Sequence, residues 1–345
     1  MSPLPFETSL PIRLRLNFEL PTPFIETRER YPFLPVPSSY FPYLPVPGKF
    51  LKFRSRAGSS PTAATLSLSA TITCDTVRVR SLNTAQSEAP LLDLRKVHVM
   101  RGGKIVLDDF SLRVHGDEHV AVLGPNGCGK STLIKTITRE CYPVVRTGSS
   151  MSILGQKSWN VFELRSLLGI VSNDLMSLCT ADASGLDVVL SGFFSSTRIF
   201  PNHTVDPKHR GLAEAALAQL GVSHLAERAV EEMSSGEAKR VLIARALVHK
   251  PRALLFDEPC NSLDILAQHS LRETMRSLAN SGTGIILVTH EIQDVVPEIE
   301  RVVLMANGRI VADGRKEEVL QAKRLGKLFG LKVELARRDG YYNIW

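Results

Sequence analysis

After Leu91 the chain alternates short, fully apolar runs with stretches of helical period. The runs are "HVAVLGP", "LGIVSN", "ALLFDEP", "GIILVTHE" and "RVVLMANG". A run with no polar position inside it has two faces to bury, so these segments predict strands of a parallel sheet covered on both sides by helices. Between about 175 and 235 the texture changes. "RGLAEAALAQLGVSHLAERAVEEM" has helical spacing and no strand run, and predicts a helical subdomain inserted into an α/β core. At its end, "MSSGEAKRVLIARAL" (233–247) opens with Ser234 and Glu237 at capping-box spacing. A helix that starts there has exposed N–H groups and favours an anion. The longest apolar runs, such as "ALLF" and "GIILV", are strand-length, far below the roughly 20 residues a membrane helix needs.

Residues 1–88 have a different composition. "YPFLPVPSSYFPYLPVP" repeats proline with aromatics, and "SRAGSSPTAATLSLSATIT" lacks bulky side chains to bury. Proline at that density removes backbone donors and blocks helices, so the segment is read as a disordered extension. From Arg30 to Cys74 there is no acidic residue, while Lys49, Lys52, Arg54 and Arg56 are present, a faint likeness to an organelle transit peptide. Glu7, Glu19, Glu26 and Glu29 argue against it, and an extension without function, or a misplaced start codon, is the preferred reading.

The 345 residues provide ample material for a core. A formal charge of +7 suits an acidic partner, but 22% charged residues of both signs with no long basic block give no reason to expect direct nucleic-acid binding. Five cysteines with no C-x-x-C pair indicate neither a zinc knuckle nor a disulfide framework, and a reducing compartment fits them.

"AVLGPNGCGKSTL" reads as strand, glycine loop and helix, and matches G-x-x-x-x-G-K-[ST] from Gly124 to Ser131. Gly124, Gly127 and Gly129, with Asn126 and Cys128 between them, let backbone N–H groups turn inward around a phosphate chain. Lys130 reaches the β and γ oxygens, the Ser131 hydroxyl ligates Mg²⁺, and Thr132 bonds the α-phosphate. "ALLFDEP" then ends a buried strand in Asp257, placed to hold a magnesium water, and Glu258, placed to deprotonate an attacking water. "ILVTHE" ends another apolar strand at His290, a position from which a side chain can sense a γ-phosphate.

With these pieces in this order, residues 89–325 resemble the ATP-binding cassette (ABC) ATPases. "GPNGCGKST" matches the Walker A motif, "MSSGE" the signature, "ALLFDEP" Walker B, "NSLD" (Asn261 to Asp264) the D-loop, and His290 the switch histidine. The resemblance implies an α/β P-loop NTPase fold: a mainly parallel sheet, an antiparallel β region and an inserted helical subdomain. It also implies that two cassettes meet head to tail, so that Ser234 and Gly236 of one cap the γ-phosphate held by the Walker A of the other. One Walker A and one signature occur in this chain, so a second cassette, most simply another copy, is expected.

Three positions depart from the family pattern. Ser235 stands for the first signature glycine; Arg101, whose planar guanidinium can stack on a base, stands where an aromatic ring meets adenine; and Asn173 takes the position of the Gln-loop glutamine, as a candidate Mg²⁺ ligand. "LDVVLSGFF" is similar to ATP-binding subunits of molybdate and iron-chelate importers, where "V-V-L-x-G" is common. The expected function is an Mg²⁺-dependent ATPase subunit, cytoplasmic or peripheral on the inner face of the membrane, that dimerises on ATP and powers a separate permease. The alternative is a non-transport ABC ATPase that clamps a macromolecule. Glu258 argues against an ATP-binding module without turnover. The tail 326–345, with its aromatic end "RRDGYYNIW" (337–345), is either a self-packing strand or a contact surface.

Overall fold

The computed structural model describes residues 89–179 and 182–345. The reading of 1–88 therefore lies outside the described residues.

Three strands form an antiparallel sheet in the order β2-β1-β4: β1 (Leu92–Arg101), β2 (Lys104–Val114) and β4 (Ser150–Ile153). The turn between β1 and β2 is Gly102 and Gly103, both in the left-handed region that glycine enters without steric cost. The second sheet has six strands in the order β5-β6-β7-β3-β8-β9. Its members are β3 (His119–Leu123), β5 (Leu168–Ser172), β6 (Ala253–Asp257), β7 (Gly284–Thr289), β8 (Arg301–Ala306) and β9 (Arg309–Arg315). β5, β6, β7, β3 and β8 run parallel, and β9 returns antiparallel to β8.

Two hydrophobic cores lie on opposite sides of this second sheet. Ala121, Leu123, Leu254, Phe256, Ile285, Leu287, Val302 and Leu304 face the larger core, on the side of the helical subdomain. Their chain neighbours Val120, Val122, Ala253, Leu255, Ile286, Val288, Val303 and Met305 face the other, shared with the antiparallel sheet. Side chains alternate faces along a strand, so two buried faces demand the unbroken apolar runs seen in the sequence.

The helices follow from local signals. α1 (Lys130–Ile137) starts directly at the glycine loop, and α2 (Val161–Leu167) is capped by Asn160, whose side chain accepts from the Phe162 amide. α3 (Asn173–Cys179), α4 (Gly185–Ser191) and α5 (Pro207–Gln219) build the helical subdomain. α5 has Pro207 in its first turn and Asp206 as cap, accepting from the His209 amide at 2.7 Å. α6 (Ser235–Leu247) closes the insertion and leads into β6, and α7 (Ile265–Asn280) joins β6 to β7. After β9 come α8 (Lys316–Val319), α9 (Ala322–Phe329) and a hairpin of β10 (Leu335–Arg338) with β11 (Tyr341–Ile344). The tail is thus a self-paired hairpin, and its Tyr342 is buried in the larger core. Among the described residues no helix is long and apolar enough to cross a membrane.

Candidate functional site

β3, β6 and β7 are neighbours in the sheet, and their C-terminal ends deliver the chemistry to one edge. The glycine loop follows β3. A Cβ on Gly124 would stand 2.4 Å from the Met305 carbonyl oxygen and 2.6 Å from Cys128 Sγ, so only glycine fits where the loop leaves the strand. Gly129, at φ 110°, would drive a Cβ to 2.9 Å from Met305 Cε. The loop is also fastened from outside: Gly308, in the β8–β9 turn, donates to the Cys128 carbonyl at 2.8 Å and accepts from the Asp108 amide at 3.0 Å. Asp108 pairs with Arg309 and, at 2.9 Å, with His98 Nδ1. These links tie the antiparallel sheet to the loop. Cys128 itself is a packing residue, its thiol pushed up by burial.

One cleft of about 510 Å³ is lined by Arg101, Val106, Asn126, Gly127, Gly129, Lys130, Ser131, Thr132 and Glu258. The structure therefore gathers most of the expected phosphate residues, and it brings Arg101, at the end of β1, onto the same cleft. Lys130 is 5% exposed, and its ammonium donates to the carbonyls of Gly124 at 2.9 Å and Pro125 at 3.2 Å. Its Nζ is also 3.5 Å from Glu258 Oε1. Two neutral carbonyls and one offset carboxylate are partners that a triphosphate's charged oxygens can outcompete.

Glu258 follows β6 in the left-handed region, at φ 46°. Its amide donates to the Val288 carbonyl at 2.8 Å, which pins the acid beside β7. His290 Nδ1 is 3.1 Å from Glu258 Oε1 but lacks the alignment of a hydrogen bond, while Nε2 is 3.4 Å from Glu291 Oε1. Such a close, misaligned approach leaves the acid and the imidazole free to turn toward a third group.

Asp257 occupies the other side of the loop. It lines a cleft of about 380 Å³ with Ser131, Ser172, Asp174, Lys135, Arg165 and Arg245, among others. Burial first, then the charges of Glu258 and Asp174, push its carboxyl from 3.8 up to about 6, against the pull of Lys130 and Lys135. A half-buried acid with a serine hydroxyl lining the same cleft fits a hard divalent cation, which favours oxygen donors. Asn173, the residue singled out by the Gln-loop likeness, opens α3, while its neighbours Ser172 and Asp174 form the cleft wall. Asp174 lies 3.9 Å from Lys135 Nζ. Sequence reasoning passed over Ser172, which pairs in register with Asp257, because only the β5–β6 pairing brings the two together.

The signature turn lies elsewhere. Ser234 caps α6: its Oγ accepts from the Glu237 amide at 3.3 Å, and Glu237 Oε2 takes the Ser234 amide at 2.8 Å. That amide bond, first among the causes, holds the Glu237 carboxyl below its usual value. Met233, just before the cap, packs against the larger core. Ser234, Gly236 and Asp264 line neither cleft, and Asp264 Oδ1 accepts from the Ala267 amide at 2.7 Å as the cap of α7. Within one chain, then, the Walker A and B residues converge and the signature does not join them.

Residues 107–261 match the ABC transporter family. A hemin import ATP-binding protein of Gloeobacter violaceus is 31% identical over 256 residues, which cover 72% of this chain and 90% of that protein. The chain belongs to the ATP-binding cassette family. An ABC transporter ATP-binding protein of Bacillus subtilis is 29% identical over 71% of this chain and 93% of its own length. Among solved structures, cbiO1 from Clostridium perfringens, part of the ABC transporter complex cbiONQ, has a TM-score of 0.59 at 26% identity, covering 70% of this chain and 94% of that one. The cassette is thus an ATP-binding subunit of the ABC transporter kind, and these relatives do not favour the macromolecule clamp.

Proposed function

We propose that the cassette hydrolyses ATP, with Mg²⁺, in sites shared between two copies, and that this drives a separate membrane permease. The observation that carries the reading is the split just described: Lys130, Ser131 and Glu258 share one cleft, with His290 against Glu258 and Asp257 on the adjoining cleft that Ser131 also lines, while Ser234 and Gly236 line neither.

In this reading the backbone N–H groups of the loop after Pro125 and the Lys130 ammonium bind the phosphates, and Arg101 stacks on the base. Ser131 and Asp257, with the 172–174 segment nearby, hold the metal side. When bound, Mg²⁺ neutralises charge on the β- and γ-phosphate oxygens. Glu258 Oε1 orients the attacking water and takes its proton, and His290 steadies the γ-phosphate. Ser234 and the first amides of α6 close the site of the other copy, so binding favours the closed dimer and hydrolysis releases it. The cleft that reaches from Asp257 to Arg165, Arg245 and His249 lies where the core meets the helical subdomain, and suits a permease element whose movement is felt at the metal side. The hemin import relatives, with the "VVLSG" run, support an importer of the iron-chelate kind, working at the inner face of the membrane.

Glu258→Gln tests the chemistry. The variant is expected to bind ATP, lose turnover and accumulate as an ATP-dependent dimer, seen as a doubled mass in solution. Turnover at the wild-type rate would remove Glu258 from the role of base.

A further inference from the structure

Lys239 is a buried cation that the proposed chemistry does not use. It lies on α6, five residues after the cap Ser234, and is 3% exposed. Its ammonium donates to the backbone carbonyls of Pro259 and of Asn261, the latter at 2.7 Å. Among the described residues no carboxylate lies within 4.0 Å of it. A buried ammonium with no carboxylate in contact, and only the more distant charge of Asp294 to offset it, is costly, so its two carbonyl partners must be held firmly in place.

Those partners belong to an unusual stretch. Glu258 and Ser262 are both non-glycine residues in the left-handed region, at φ 46° and 62°, with only three residues between them. Such backbone persists only where its surroundings over-determine it. The Asn261 amide donates to the Glu258 carbonyl at 3.2 Å, and the Cys260 thiol meets the buried Asp294 carboxylate. Asp294 in turn accepts from Thr289 Oγ1, next to His290, and from Arg272 on α7. Among the described residues, the Lys239 ammonium is the charged side chain that links this turn to the signature helix. Higher on the same helix, a Cβ at Gly236 would stand 2.9 Å from Ala267 Cβ, so the signature turn rests directly on the first turn of α7, just after Asp264.

We infer that Lys239 is a positioning residue: it ties the signature helix, which faces the neighbouring copy's nucleotide, to the turn that sets Glu258 against this chain's own. Closure on one nucleotide then orients the base for the other. The inference rests on the shared-site reading above and adds the path by which the two sites communicate.

The test compares the full-length wild type with K239M, which keeps length and burial but has no donor, and K239Q, whose amide can serve both carbonyls. K239M is expected to lower kcat on the order of 100-fold, with KM for ATP changed less than about twofold. Hydrogen exchange should rise in residues 258–264 and stay level in 124–132. K239Q should restore kcat to within about threefold of wild type. A K239M protein with wild-type kcat, or with unchanged exchange in 258–264, overturns the inference. So does a joint loss of kcat and melting temperature that K239Q does not rescue, which is the signature of a fold-anchoring lysine alone. Absence of turnover in the wild type defeats the ATPase reading instead, and the exchange comparison still decides on Lys239.

Discussion

The Walker A loop and the signature turn are both helix N-termini made for phosphate, yet they are built in opposite ways. Around the first, the chain supplies nearly everything: the glycine loop, a buried lysine, a serine, and two acids from the end of β6, one strand removed from β3. Its charged groups are poorly matched at home. Lys130 rests on neutral carbonyls, and Asp257 carries a carboxyl pushed up to about 6. The second is closed on itself, with Ser234 and Glu237 exchanging hydrogen bonds and neither of them, nor Gly236, lining the catalytic cleft. A site with strained, under-matched charges is waiting for a ligand, whereas a self-capped turn is ready to meet one already held by something else. The comparison teaches that one chain carries two halves of different sites.

The largest expected effect breaks the catalytic half. Glu258→Gln should reduce steady-state ATP turnover by at least about 1,000-fold while leaving nucleotide affinity within a few-fold, read by phosphate release and by fluorescent-nucleotide titration. Ser234→Arg breaks the other half. An arginine at that cap intrudes on the neighbouring copy's phosphate, so turnover should fall about 100-fold with unchanged affinity of the isolated chain for ATP, the reverse of a Walker A defect. Equal damage to affinity would mean that the signature serves its own chain's nucleotide.

Asp257→Asn sharpens the contrast through stability. In the folded chain without metal the Asp257 carboxyl is harder to ionise than in the unfolded chain, so its contribution is most favourable below about pH 4 and is lost as the pH rises through 6. The asparagine variant should therefore be more stable at pH 7 by about 1 kcal/mol, after discounting for partial solvent screening. Its melting temperature should rise by about 3 °C, and the difference should vanish near pH 4. Magnesium and nucleotide should stabilise the wild type more than the variant. The smallest effect is expected at Arg101, where alanine should raise KM for ATP by about three- to tenfold, the loss of one stacked cation, with kcat little changed.

What the sequence made legible were features encoded over short spans. The unbroken apolar runs predicted strands buried on both faces, and the two cores on either side of the six-stranded sheet explain why. The glycine loop, the acid pair and the capping box each sit within a few residues, so their spacing carries their geometry. The features that went unread depend on segments that only the fold brings together. Ser172 meets Asp257 through strand pairing, and Lys239 reaches Pro259 and Asn261 across some twenty residues. Gln293, just after His290, donates to Asn343 of the C-terminal hairpin at 2.7 Å, a contact fifty residues distant that no local pattern announces. Asn173, singled out by its likeness to the Gln-loop position, opens α3, and its neighbours Ser172 and Asp174 line the cleft.

The central claim, that each site is completed by a second copy, is tested most directly by mixing two inactive variants. Lys130→Ala has a damaged cradle and an intact signature; Ser234→Arg has the reverse. Each alone should hydrolyse ATP at background rate. In an equal mixture half of the dimers are mixed and each of these holds one intact site, so turnover should rise clearly above background, to a quarter of wild type at most and to less in proportion to how far the Lys239 link makes each site depend on closure at the other. A mixture as inactive as its components, or a Ser234→Arg protein that hydrolyses ATP normally by itself, would contradict the account.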